Sequence, residues 1–192
     1  MRILVLVIDS LHLGFLGCYG NDWIDTPALD RLAAEGVAFD RHFTDCPDPA
    51  AARRAWRTGC HTLTDDTTGT AATDLVKSLR RAQIATALVI DAHSAVPNDF
   101  QADWDLVARM PHAGPEEEPL IATLQRLAER DHWLLWIELA DLLEPWNPPD
   151  ELVERYFQMA DDSEDDAEFL RLQSVYGALV AQLDTRIARL LD

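Results

Sequence analysis

The sequence predicts an α/β layered fold around a mostly parallel sheet, and three observations carry that expectation. Apolar, β-rich runs recur at residues 3–8, 85–90 and 133–139. They are continuous rather than alternating, which marks strands buried on both faces, as in parallel sheets. Segments with helical spacing of apolar residues alternate with them, the strand–helix pattern of α/β proteins. Each run is followed closely by an aspartate: Asp9, Asp91 and Asp141. Ligands of such sheets bind outside the carboxyl ends of the strands, so the three carboxylates are expected on one rim.

The first run stops at Asp9, short of the roughly 7–15 apolar residues of a secretory signal. The bulky Leu11, His12 and Leu13 supply no cleavage site, so the expectation is a buried strand in a soluble, cytoplasmic protein. Gly14, Gly17 and Gly20 then punctuate a loop. Their spacing is not G-x-G-x-x-G and no helix follows at once, which argues against a dinucleotide site. Thr26 as N-cap and Pro27 at the first helical position open a helix. Leu29, Leu32 and Ala33 share its inner face, and Gly36 ends it. Residues 37–43 alternate briefly. Residues 50–57 read as a short basic helix stopped near Gly59.

Residues 71–81 read as a helix with Leu75, Val76 and Leu79 inward. After the second strand, residues 95–115 read as irregular and turn-rich. Residues 116–130 form a helix whose three leading glutamates suit the positive end of the dipole. Leu120, Ile121, Leu124 and Leu127 make its apolar stripe. A rigid proline loop at 145–149 follows the third strand. The acidic run at 161–168 reads as a solvated loop and helix start, because it lacks the turn glycine of an EF-hand. Residues 167–191 are a long helix, with Leu172, Val175, Tyr176, Leu179, Leu183, Ile187 and Leu190 at the 3.6 period.

A chain of 192 residues suits one domain spanning residues 1–192. Its formal charge of −18 argues against nucleic acid or an anionic membrane surface as partner. No segment reaches the ~18 apolar residues of a membrane span. Cys18, Cys46 and Cys60 are odd in number and irregularly spaced, which is neither a disulfide framework nor a zinc pattern and fits a reducing compartment. Trp104, Trp133, Trp136 and Trp146 read as core and loop packing rather than a sugar platform.

Several stretches resemble a known family. They are Val5-Leu6-Val7-Ile8-Asp9-Ser10-Leu11, then Leu16-Gly17-Cys18-Tyr19-Gly20-Asn21, then residues 26–39. They are similar to the amino-terminal part of the sulfatases, in the alkaline-phosphatase superfamily. Residues 53–59 resemble the helix after that family's nucleophile, and residues 86–89 its second core strand. Trp136, Asp141 and residues 144–149 resemble its third strand and the loop beyond. Residues 175–192 resemble the helix preceding its second metal motif. The resemblance implies a three-layer sandwich truncated to the first half of a sulfatase.

It also implies a chemistry. In the family a cysteine or serine in C/S-x-P-x-R is oxidised to formylglycine, whose hydrate attacks sulfur. A divalent cation, usually calcium, and Lys and His residues stabilise the charge. Carried over by position, Asp9 matches the first metal aspartate, and Ser10 stands where many members have a second one. Arg53 falls on the motif's Arg, but Pro49 falls on its Cys. Cys46 is the nearest alternative nucleophile, yet Asp48 and Ala50 stand where Pro and Arg would be needed. Asp91 falls on a sulfate-binding Lys and His93 on the His that follows, while Leu143 replaces a further His.

The expected protein is therefore sulfatase-like but catalytically inactive, with a binding or assembly role. Arg53 and His93 are vestigial site residues, and Cys46 is an unfavoured nucleophile. No cofactor is expected beyond weak residual calcium at Asp9 and Ser10, well short of the roughly 6–8 oxygens calcium prefers. A homodimer or a partner chain is expected to cover the shortened sheet. Two alternatives are an active metal-dependent sulfuric or phosphoric ester hydrolase using Cys46 or metal-bound water, and a truncated product without selected activity.

Overall fold

A computed structural model describes residues 1–63, 74–112, 117–159 and 167–191. The chain forms two compact units. The first takes residues 1–7 and 41–140, the second residues 8–40 and 141–192.

The first unit is built on a four-stranded sheet. Its strands are β1 (Arg2–Ile8), β2 (Ala85–Asp91), β3 (Leu106–Met110) and β4 (Trp133–Leu139), in the order β1-β4-β2-β3. β2 runs parallel to both β3 and β4. β2 and β4 are central and buried along nearly their whole length, as their largely apolar runs require. β1 was expected as a buried strand, but none of its residues is buried, because it lies at the edge of the sheet with a neighbouring strand on one side only. The core packs Leu88, Ile90, Leu134 and Trp136 of the sheet against Val76, Val96, Phe100 and Trp104. Each large apolar side chain so buried contributes roughly 1.5–3 kcal/mol. Trp104 and Trp136 are thus core residues.

β3 lies within the stretch read from sequence as irregular. It is five residues long and on the sheet edge, and it forms by pairing with β2 from Ala87↔Leu106 to Asp91↔Met110. So short a run carries too little periodicity to be distinguished without its neighbour. The expected extended stretch at 37–43 forms no strand. Val37, Phe39 and Phe43 are at least three-quarters exposed.

The helices of this unit are α2 (Pro49–Thr58), α3 (Leu75–Arg81) and α4 (Glu118–Ala128). α2 is basic in sequence, but of its three arginines Arg53 and Arg57 are buried and Arg54 alone is exposed. Arg57 donates to the carbonyls of Asp99 and Phe100 at 2.9 and 2.7 Å, and its Nε meets the Asp74 carboxylate at 2.8 Å. Asp74 also caps α3 by accepting from the Lys77 N–H at 3.0 Å. That cap starts the helix at Leu75, later than the sequence reading; residues 71–73 lie outside the described residues. Partial burial pushes the Asp74 carboxyl up, but the Lys77 N–H and the Arg57 guanidinium outweigh it and hold the group below the usual carboxylate range. In α4, Leu120, Thr123 and Leu127 are buried while Ile121 is exposed. Residue 116 lies outside the described residues.

The second unit is helical. It holds α1 (Pro27–Glu35), α5 (Asp150–Met159) and α6 (Ala167–Leu191), with two 3-10 turns at Leu13–Phe15 and Gly17–Tyr19. α5 was not anticipated. Its signal is Pro148-Pro149 followed by Asp150 and Glu151 at a helix start, with Val153 and Tyr156 buried three apart. The acidic residues 161–166 lie outside the described residues.

α1 is capped otherwise than expected. Thr26 makes no side-chain cap bond, because its hydroxyl accepts from the Gly17 N–H at 2.9 Å. Asp184 of α6 does the work instead: its two oxygens accept from the Ala28 and Leu29 N–H groups at 3.0 and 2.8 Å. Ala28, not Leu32, is the buried residue of the helix. Gly177 of α6 sits where a Cβ would meet Ile24 Cδ1 at 2.5 Å, so a larger residue there would have to displace that buried isoleucine side chain. Among the described residues no helix is long and apolar enough to cross a membrane.

Candidate functional site

In the first unit, Asp48 begins the nucleophile-like segment by accepting from the Ala51 N–H at 2.7 Å, which makes Pro49 the first residue of α2. Proline suits that position because its missing N–H would have no intrahelical partner. Nothing on its ring can attack sulfur. Cys46 lies before the cap, partly buried, its Sγ accepting from the Asp48 N–H at 3.4 Å.

Arg53, one turn into α2, points into the protein. Its Nε and Nη2 donate to Glu138 Oε2 of β4 at 3.3 and 2.8 Å, and its Nη1 donates to the Pro49 carbonyl at 3.2 Å. The other oxygen of Glu138 accepts from Trp136 Nε1 at 2.8 Å. Arg53 and Glu138 are 3% and 1% exposed, so the pair is a buried structural contact. Sequence reading missed Glu138. Its signal was a carboxylate inside an otherwise apolar buried strand, which must find a partner.

The second cluster lies at the carboxyl ends of β2 and β3. Asp91 closes β2 and is fully buried. Its Oδ1 accepts from the His93 N–H at 2.9 Å. The same oxygen lies 3.0 Å from His112 Nδ1 and 4.0 Å from His93 Nδ1. The two imidazole centroids are 4.0 Å apart. Parallel register makes this cluster: Asp91 pairs with Met110, and Ala92 N–H donates to the Met110 carbonyl at 2.9 Å, so His112 leaves β3 beside His93. Sequence reading named Asp91 and His93 but missed His112, because β3 itself was not seen.

Asp9 and Ser10 lie in the second unit, at the end of β1. Asp9 is partly buried and Ser10 exposed. Ser10 has φ 61°, a left-handed conformation uncommon for a residue with a side chain. Tyr176 holds this turn, donating to the Ser10 carbonyl at 2.7 Å and accepting from the His12 N–H at 2.9 Å. Burial pushes the Tyr176 hydroxyl up, and the His12 bond opposes this. Asp141, the third aspartate of the sequence pattern, is held by Arg186 Nη1 at 2.8 and 2.7 Å from its two oxygens. Both residues are buried. Asp141→Asn or Arg186→Met is expected to leave the other charge buried and to cost about 3–5 kcal/mol in urea unfolding. A cost below about 1 kcal/mol would mean that the pair is solvated.

The Sulfatase family matches the chain over residues 2–104, more than half its length. The chain belongs to the sulfatase family. Among curated relatives, this sulfatase-family chain is 43% identical to human arylsulfatase D over 62 residues, 32% of the chain and 10% of that protein. It is 46% identical to mouse steryl-sulfatase over 58 residues, 30% of the chain and 9% of that protein. The matches thus span about a tenth of those relatives' length. Among solved structures, the C-terminal periplasmic domain of EcEptC from Escherichia coli superposes with a TM-score of 0.74 at 15% identity. That match covers 99% of this chain and 57% of that one. The phosphonate monoester hydrolase of Agrobacterium radiobacter gives 0.61 at 16% identity, covering 98% and 58%. These likenesses concern the fold: the sulfatase-family chain has the α/β fold of sulfatases and alkaline phosphatases, in part of their length.

Proposed function

We propose that this sulfatase-family chain does not hydrolyse sulfate esters by the family's nucleophile route, and that it serves in binding or assembly. One observation carries the reading: α2 begins at Pro49, and the arginine four residues on is held by Glu138 inside the protein. Laid on the family pattern, these are the positions of the nucleophile and of its motif arginine. Asp91 supports the same reading. It stands on the family's sulfate-binding lysine, and an anion ~4 Å from a sulfate repels it by about 4 kcal/mol at an effective dielectric near ~20. Asp9 and Ser10 are retained as the remnant of the family's metal position, and His93 as the remnant of its anion site. The three free cysteines favour a reducing, cytoplasmic setting.

For assembly, β1 is an edge of the sheet where Ile3 and Leu4 are each more than a third exposed. A second copy or a partner chain pairing there would satisfy both the edge and its apolar side chains. Native mass spectrometry tests both halves of the proposal on protein made beside a formylglycine-generating enzyme. The expected result is an unmodified Cys46 in an assembly heavier than one chain. An aldehyde at Cys46 overturns the non-hydrolytic reading, and a lone chain at micromolar concentration overturns the assembly reading.

A further inference from the structure

Sulfate chemistry accounts for a histidine at position 93 but not for the buried carboxylate of Asp91 beside it. One carboxylate oxygen and two imidazole nitrogens, each from a different residue, lie within 4.8 Å of one another. Two separate loops bring them together, and the β2–β3 register holds those loops side by side. Where the family pattern has a lysine that attracts anions, this chain presents electron-pair donors. That is the chemistry of a cation site.

We propose that Asp91, His93 and His112 bind one zinc-class divalent ion, with water at the fourth position. Zinc bonds of ~2.0–2.2 Å in a tetrahedron place neighbouring donors roughly 3.4 Å apart. The distances from Asp91 Oδ1 to the two Nδ1 atoms, 3.0 and 4.0 Å, bracket that value. The ligands also combine a fixed part with an adjustable one. Asp91 is fully buried and held by the His93 N–H. The His93 ring, 47% exposed, stands in the turn beyond the strand and reaches the ideal spacing by rotating its side chain. His112, 16% exposed, is nearer the protein interior. The half-exposed side of His93 is the path by which ion and water enter.

The donor set selects the ion. Two imidazoles and one carboxylate suit zinc, cobalt or nickel, whereas calcium and magnesium prefer an all-oxygen shell of six or more ligands. A plain Asp91–His112 hydrogen bond accounts for the 3.0 Å contact. The His93 N–H bond to the same oxygen brings the second ring beside the first, so both Nδ1 atoms stand within 4.0 Å of Asp91 Oδ1. This inference goes beyond the proposed function and does not depend on it, because a bound ion can serve structure or recognition without turnover.

The test is calorimetric titration of the full chain, stripped with chelator, with zinc chloride, and the absorption spectrum of the cobalt form. The expected result is one ion per chain with micromolar affinity or tighter. Cobalt should show intense visible bands of a tetrahedral nitrogen–oxygen site without a thiolate charge-transfer band. His93→Ala and His112→Ala should each weaken zinc binding about tenfold or more, with the far-ultraviolet circular dichroism of His93→Ala unchanged. Millimolar calcium should not displace zinc, and replacing all three cysteines with serine should leave the affinity unchanged. The proposal is overturned by absence of one-to-one binding, by unchanged affinity in both histidine variants, by loss of binding in the cysteine-free chain, or by displacement with calcium.

Discussion

Arg53→Met should lower the unfolding free energy of the chain by about 3–5 kcal/mol, because it strands the Glu138 carboxylate in the core. Desolvation sets the size of the effect. Glu138 keeps the Trp136 indole N–H as a donor, but one neutral donor does not replace a guanidinium. Arg53→Lys should recover only part of the loss, since an ammonium cannot present both Nε and Nη2 to one oxygen while Nη1 reaches the Pro49 carbonyl. Arg53→Met combined with Glu138→Leu should restore most of the stability, because apolar side chains of similar volume remove both buried charges together. The readout is urea unfolding at constant slope, so that a moved midpoint reports stability alone. A cost near zero for Arg53→Met, or no recovery in the double variant, would mean that Arg53 is not a structural partner of Glu138.

Much of the fold was legible in sequence because burial on both faces leaves a simple mark. β2 and β4 have six of seven residues buried, and their apolar runs say so directly. The extent of α6 was readable from the period of its apolar residues, although Leu172 of that stripe is exposed. β3 was not, since a five-residue edge strand exists through its pairing rather than its pattern. α1 was placed correctly but its cap was misread: whether a threonine caps depends on what else its hydroxyl meets, and here Gly17 claims it while distant Asp184 takes over.

The candidate site divides the same way. Asp91 and His93 are two residues apart and follow a readable strand, so sequence reached them. His112 is nineteen residues beyond His93. Its place in the cluster follows from the β2–β3 register and from nothing local. Arg53 was named, but its partner was not, because Glu138 sits 85 residues away on another strand. Asp141 followed a readable strand too, and its bond to Arg186 is equally long-range.

The second large effect concerns catalysis. Hydrolysis of a sulfate ester needs an attacking group, and under the proposed reading the family's nucleophile position falls on Pro49, which supplies none. Exchanging a lysine for Asp91 moves the electrostatic energy of a nearby sulfate by about 8 kcal/mol, roughly six orders of magnitude in rate if the charge is fully felt. A zinc-class ion bound by Asp91, His93 and His112 would reverse the sign of that field, so the assay must cover metal-loaded protein. Loading restores attraction for an anion but provides no residue at the nucleophile position.

The most direct measurement is therefore turnover of a generic aryl sulfate and a generic aryl phosphate by purified chain, with calcium, manganese or zinc, beside Asp9→Ala, Cys46→Ala and His93→Ala. The predicted result is the same background rate for all four proteins in every metal. Turnover by the unaltered chain that disappears in any one of the three variants would contradict the account and identify the group responsible.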